Sequence, residues 1–137
     1  MKNPELFDIC ATYLLADLYE KFPVPAQIEY DPLYFKISEK FQDATEDDLI
    51  HIYRIIESSL RWLERSGFLY LGHIDKLVAG DVILTEKGLK TLRSVPHSVD
   101  VQRETVGDLL AQAGKEGTKD AVIRGIGALF SIMLVAV

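Results

Sequence analysis

Two neighbouring runs constrain this chain more than any other part of it: "ESSLRWLERSGFLYL" at residues 57–71 and "DVILTEKGLKTLRSVP" at 81–96. Apolar residues at Ile52, Ile56, Leu60 and Leu63 follow a helical spacing, with Ile55 and Trp62 at the margins of that stripe. The pattern ends at Gly67, a residue suited to the left-handed position just past a helix. "FLYLGHI" (68–74) and "DVIL" (81–84) then read as two strands joined by a loop at "DKLVAG". Thr85 is placed to cap the helix "EKGLKTLRSV", which Pro96 closes. The long helix before Gly67 starts with equal clarity. Thr45 and Asp48 have capping-box spacing, and Glu46 and Asp47 add negative charge where the helix dipole favours it, so these acids have a structural reason and are not read as catalytic.

Around this centre, Leu6, Cys10, Leu14 and Leu18 form the apolar stripe of a first helix over residues 4–21, stopped by "FPVP". "AQIEY" (26–30) predicts a short strand, and Asp31 with Pro32 predicts a helix over about 32–41. Further on, Val106, Leu109, Leu110 and Ala113 mark a short amphipathic helix. Gly114 and Gly117 bracket a turn, and Thr118 caps a last helix. That last helix carries no charge from Gly125 to Val137. At 1.5 Å per residue such a run reaches roughly 20 Å, or about 25 Å counted from Ala121, short of the roughly 30 Å of a bilayer's hydrocarbon, so a membrane anchor is not expected. Small residues at Ala121, Gly125 and Ala128, and at Gly127 and Ser131, would instead admit close packing against the first helix or against a second copy in a homodimer.

Charge is unevenly spread over the 137 residues, whose net charge is −6. Residues 1–50 carry −7, residues 51–95 carry +2 and residues 96–137 carry −1, so only the central segment is basic. Any contact with phosphate must therefore rest on that local patch. The lone cysteine, Cys10, excludes an internal disulfide and falls on the buried stripe of the first helix. With no secretory leader in the sequence, a cytoplasmic location is expected. His51, His73 and His97 form no metal-type pair, and Gly125-Ile126-Gly127 lacks both the third glycine and the preceding strand of a dinucleotide loop. No catalytic grouping, metal or cofactor is expected.

"SLRWLERSGFLYL" followed by "VILTEKGLKTL" resembles the winged helix-turn-helix superfamily of bacterial regulators, over about residues 5–95. The resemblance implies a mainly α fold with a small β-hairpin wing: a winged-helix domain over 1–96 and a C-terminal helical extension over 97–137 for packing or dimerisation. It also implies a protein that binds double-stranded DNA and regulates transcription. Its recognition helix would present Arg54, Ser58, Arg61 and Arg65 to the major groove, Arg61 or Arg65 pairing with a guanine edge and Ser58 with a phosphate, while His73 and Lys76 serve as wing contacts. Glu57 and Glu64 share that face, and Glu57 stands at ion-pair spacing from Arg61. The acidic first third of the chain suggests an alternative. Glu29, Asp31, Glu39, Asp43, Glu46 and Asp47 would make an acidic surface for a basic protein partner, as in an immunity or antitoxin-like module that neutralises a basic nuclease.

Overall fold

Helix α1 (Asn3–Lys21) lies at the centre of the molecule, because its apolar residues are not confined to one stripe. Leu6, Cys10, Leu14 and Leu18 are buried as the spacing predicts, and so are Ile9, Ala11, Thr12, Leu15 and Ala16 around the rest of the helix. A computed structural model describes residues 3–41, 45–94 and 104–135. After α1 come β1 (Ala26–Glu29), α2 (Tyr30–Ser38), α3 (Glu46–Arg65), β2 (Leu69–Tyr70), β3 (His73–Ile74), β4 (Val78–Leu84), α4 (Glu86–Arg93), α5 (Val106–Glu116) and α6 (Lys119–Val135). The described residues are thus mainly helical, with one small antiparallel sheet ordered β1-β4-β2 and with β3 also paired to β4.

The start and stop signals of α3 act as the sequence predicts. Thr45 accepts from the Asp48 backbone N–H at 3.2 Å, and the Asp48 carboxylate accepts from Thr45 N–H at 3.0 Å. These backbone and hydroxyl bonds, the backbone bond first, hold the Asp48 carboxyl below its ordinary value. At the other end Gly67 has φ +82, its N–H donates to the Glu64 carbonyl, and the Phe68 N–H donates to the Leu63 carbonyl, both at 2.9 Å. This paired arrangement turns the chain sharply from α3 into β2. Thr85 caps α4 through the Gly88 N–H at 2.9 Å, and its hydroxyl donates to the Gly67 carbonyl, which ties the two helix ends together.

Three boundaries differ from the sequence expectation. Helix α2 starts at Tyr30 and ends at Ser38, and its N-cap position, Glu29, makes no side-chain cap bond. Asp31 sits inside the first turn, where its carboxylate accepts from the Tyr53 hydroxyl at 2.6 Å instead of capping. The segment expected as one strand and a long loop is two short strands and a tight turn, because Val78, Ala79 and Gly80 pair with β1 and β3 as part of β4. The turn shrinks to Asp75–Leu77, with the Asp75 carboxylate accepting from Leu77 N–H at 2.7 Å and Val78 N–H at 2.8 Å. Helix α4 ends at Arg93, and Pro96 lies outside the described residues.

Within β4 the register against β1 shifts by one residue between Ala79 and Val82. Asp81 takes a positive φ of 52 there, and its carboxylate accepts from the Gln27 side chain at 3.3 Å. Helices α5 and α6 pack on α1 and share its core: Leu109, Leu110, Ala113, Val122, Ile126 and Leu129 belong to the same buried cluster as Leu6 and Leu15. Gly114 lies inside α5, and Gly117 alone makes the left-handed stop, with φ +68 and its carbonyl accepting from Lys40 Nζ at 2.6 Å. On α6, Ala121, Gly125 and Ala128 are buried, and a Cβ at Gly125 would come within 2.9 Å of Leu110 Cδ2. The second small-residue line does not pack within the chain: Gly127 is exposed, nothing lies within 4 Å of where its Cβ would be, and the Ser131 hydroxyl donates to its own helix at the Ala128 carbonyl. No helix among the described residues is long and apolar enough to cross a membrane.

Candidate functional site

The buried face of α3 decides what its other face presents. Ile52, Ile56, Leu60 and Leu63 are fully buried, so the helix cannot rotate without exposing them, and Arg54, Ser58, Arg61 and Arg65 are held on the solvent side. The β3–β4 turn stands beside that face. Its position is fixed by the two bonds to the Asp75 carboxylate and by the Tyr30 N–H, which donates to the Leu77 carbonyl at 3.0 Å. The same two turn bonds lower the Asp75 carboxyl from its ordinary value.

Helix and turn together enclose an open groove of about 620 Å³ lined by Asp31, Ile50, Tyr53, Arg54, Glu57, Ser58, Lys76 and Leu77. The structure therefore brings three of the six expected DNA contacts, Arg54, Ser58 and Lys76, to one groove although the turn residue is far from the helix residues in sequence. Arg61 and Arg65 continue along the exposed side of α3 beyond the groove. His73 is exposed on β3 outside the groove lining, its ring lying over Gly80, where a Cβ would come within 1.8 Å of its Cε1.

The acids of this face are engaged. Asp31 receives the Tyr53 hydroxyl, Glu57 meets Arg61 Nε at 3.6 Å, and Glu64 accepts from the Leu71 backbone N–H at 3.1 Å. The bond to Asp31 is the main reason the Tyr53 hydroxyl is pushed up to about 12, with burial adding to it. Tyr53 also stacks on Tyr34, ring centroids 4.7 Å apart and planes 16° from parallel, so the rim of the groove is rigid. Arg54, Arg65 and Lys76 form no ion pair among the described residues. Below the groove, Tyr30 is fully buried and its hydroxyl finds no hydrogen-bond partner among the described residues.

The residues expected for an acidic interface fall on several elements. Asp31 lines the α3 groove, while Glu29 lines a different depression with Tyr13, Asp17 and Lys36. Glu39 follows α2, Glu46 and Asp47 are exposed in the first turn of α3, and Asp43 lies outside the described residues, as does His97. His51 exchanges a hydrogen bond with the Asn3 side chain at 2.8 Å and is occupied structurally. Cys10 is buried, its thiol pushed up to about 12 by burial against a smaller opposing bond from Ser59, so it packs as an apolar group. No grouping of three or more metal-ligating side chains occurs among the described residues.

Sequence reading missed Tyr53, Ile50 and Leu77. Tyr53 carried a usable signal, since it precedes Arg54 and stands one helical turn before Glu57; Leu77 fell in the expected loop, but nothing local to it indicated that the turn would lie against α3. No protein-family model, no curated protein and no solved structure matches this chain, so its reading rests on the groove between α3 and the β3–β4 turn.

Proposed function

We propose that this chain is a winged-helix protein that binds double-stranded DNA through the exposed face of α3 and the β3–β4 turn, as a transcriptional regulator does. The order α-β-α-α-β-β-β with a β1-β4-β2 sheet supports the winged-helix reading, the β3–β4 turn taking the place of the wing. The observation that carries the function is the convergence of Arg54, Ser58 and Lys76 on one groove whose neighbouring carboxylates are bound to Tyr53, Arg61 and a backbone N–H. The lining balances two acids, Asp31 and Glu57, against two bases, and it is the bases Arg54 and Lys76, exposed and without an ion pair among the described residues, that a phosphate backbone would meet there on an otherwise acidic protein.

The test is fluorescence anisotropy of a labelled random duplex at several salt concentrations. Each phosphate contact contributes about −0.9 to the slope of log affinity against log salt, so Arg54→Ala with Lys76→Ala should flatten the slope by roughly two. An unchanged slope in that double variant would refute the assignment.

A second reading is favoured by one specific observation. Ile50 and Leu77 line the same groove and are 64% and 67% exposed, and apolar groups at that position suit a protein partner better than a phosphate backbone. Absence of duplex binding even at low salt would favour that reading, and Ile50→Ser with Leu77→Ser would then be the informative pair.

A further inference from the structure

On the opposite flank of α3 a second groove runs between α1 and α3 and ends at Phe130 of α6. It encloses about 530 Å³ and is lined by Asn3, Pro4, Phe7, Asp8, Ile55, Ser58, Ser59, Trp62 and Phe130. Its surface is almost wholly apolar, and three aromatic side chains contribute to it. Phe7 and Trp62 meet edge to face with centroids 5.2 Å apart and planes 80° apart, which leaves a face of the indole open; Trp62 remains 42% exposed.

The charge of this groove is as specific as its shape. Among the described residues that line it only Asp8 is ionisable. Asp8 is half-buried and makes no ion pair among the described residues; burial first, and the neighbouring Glu5 second, raise its carboxyl above the ordinary value. Asp8 also lines a small adjoining depression together with Lys119, whose Nζ lies 5.5 Å from the centroid of the Phe41 ring. A carboxylate in an aromatic-walled groove, unpaired among the described residues, is matched by a ligand that carries a diffuse positive charge on an apolar body. An inorganic cation would lack the apolar surface, and an anion would be repelled by Asp8.

We propose that the groove between α1 and α3 binds a lipophilic organic cation, an alkyl- or arylammonium, with its charge between Asp8 and the faces of Phe7 and Trp62 and its apolar body against Ile55 and Phe130. The assignment is independent of DNA binding. The two grooves nevertheless meet, since Ser58 lines both, so an occupant of this one touches the helix that carries Arg54 and Arg61.

Trp62 is the only tryptophan in the chain, so the site reports on itself. Intrinsic fluorescence of the full chain is titrated with phenyltrimethylammonium and, separately, with its neutral carbon isostere tert-butylbenzene. Saturable change is expected with the cation, at an affinity on the order of tenfold above the neutral isostere, the size of one partly desolvated cation–π contact. Asp8→Asn, nearly isosteric, should remove most of that preference while leaving the neutral probe unaffected, and Phe7→Leu should weaken the cation in the same way. Circular dichroism of both variants establishes that they are folded. Equal affinity for the two probes, or an Asp8→Asn variant that keeps the full preference, would overturn the proposal. So would a chain that sediments as a dimer and whose Trp62 emission ignores both probes, since a second copy would then cover the groove.

Discussion

Replacing Tyr30 by Phe should make this protein more stable, which is the reverse of what most core substitutions do. Tyr30 is 0% exposed and its hydroxyl has no hydrogen-bond partner among the described residues. A buried hydroxyl left unsatisfied costs about 1–3 kcal/mol. Removing its one oxygen leaves a void of roughly 10 Å³, worth about 0.2 kcal/mol at the usual cavity penalty. The net expectation is a gain of about 1–3 kcal/mol, or roughly 3–9 °C in Tm for a chain of this size. Urea denaturation near neutral pH measures it, with an unchanged m-value showing that stability itself has moved. An alkaline arm tests the same reasoning. Burial first, then the negative charges of Glu57 and Asp75, push the Tyr30 hydroxyl up to about 12 from its ordinary 10. Between those values the unfolded chain has released this proton and the folded chain has not, so stability falls as pH rises through the window. Tyr30→Phe should lose that share of the fall. A variant destabilised by about 1 kcal/mol or more would show that the hydroxyl is bonded, and the reasoning would fail.

Two glycine replacements should move in opposite directions. Gly127→Ala on the exposed side of α6 meets nothing within 4 Å and should stabilise by about 0.4–1 kcal/mol, whereas Gly88→Ala would drive its Cβ to 2.1 Å from the Phe68 carbonyl oxygen and should cost about 1–3 kcal/mol despite its better helix propensity; thermal melts of the pair decide it. The buried Cys10 thiol, raised from its ordinary 9.0 to about 12, should resist a thiol reagent at neutral pH until the protein unfolds. It should also contribute to a loss of stability as pH climbs from about 9 toward 12, a loss that Cys10→Ala should lack.

What the sequence made legible was what local chemistry specifies. The ends of α3 could be read from Thr45, Asp48 and Gly67 because caps and left-handed stops depend on residues within one turn. The start of α2 could not, because Asp31 is claimed by Tyr53, a partner supplied by another helix. Strand β4 was cut short for a similar reason: the run 78–80 ends in a glycine that looks like a turn residue, and only pairing with β1 and β3 makes these residues part of a bulged strand. At the groove, the helical spacing of Arg54 and Ser58 was visible, and their meeting with Lys76 depends on the length of the turn, which no local signal fixed. The second groove escaped entirely, since Trp62 read as a margin residue of its helix and only the crossing of three helices brings it together with Phe7 and Phe130.

The central position of α1 has a consequence for how the protein is made. This helix is synthesised well before the surfaces that cover much of it, which belong to α5 and α6. At about 5–20 residues per second, Leu6, Leu15 and their neighbours wait on the order of several seconds before those partners exist. During that interval α3 can shelter one side, and the rest is exposed to chaperones or to other nascent chains. A nascent chain arrested before α5 should therefore be captured by a holdase, and one arrested with α6 already outside the ribosome should not.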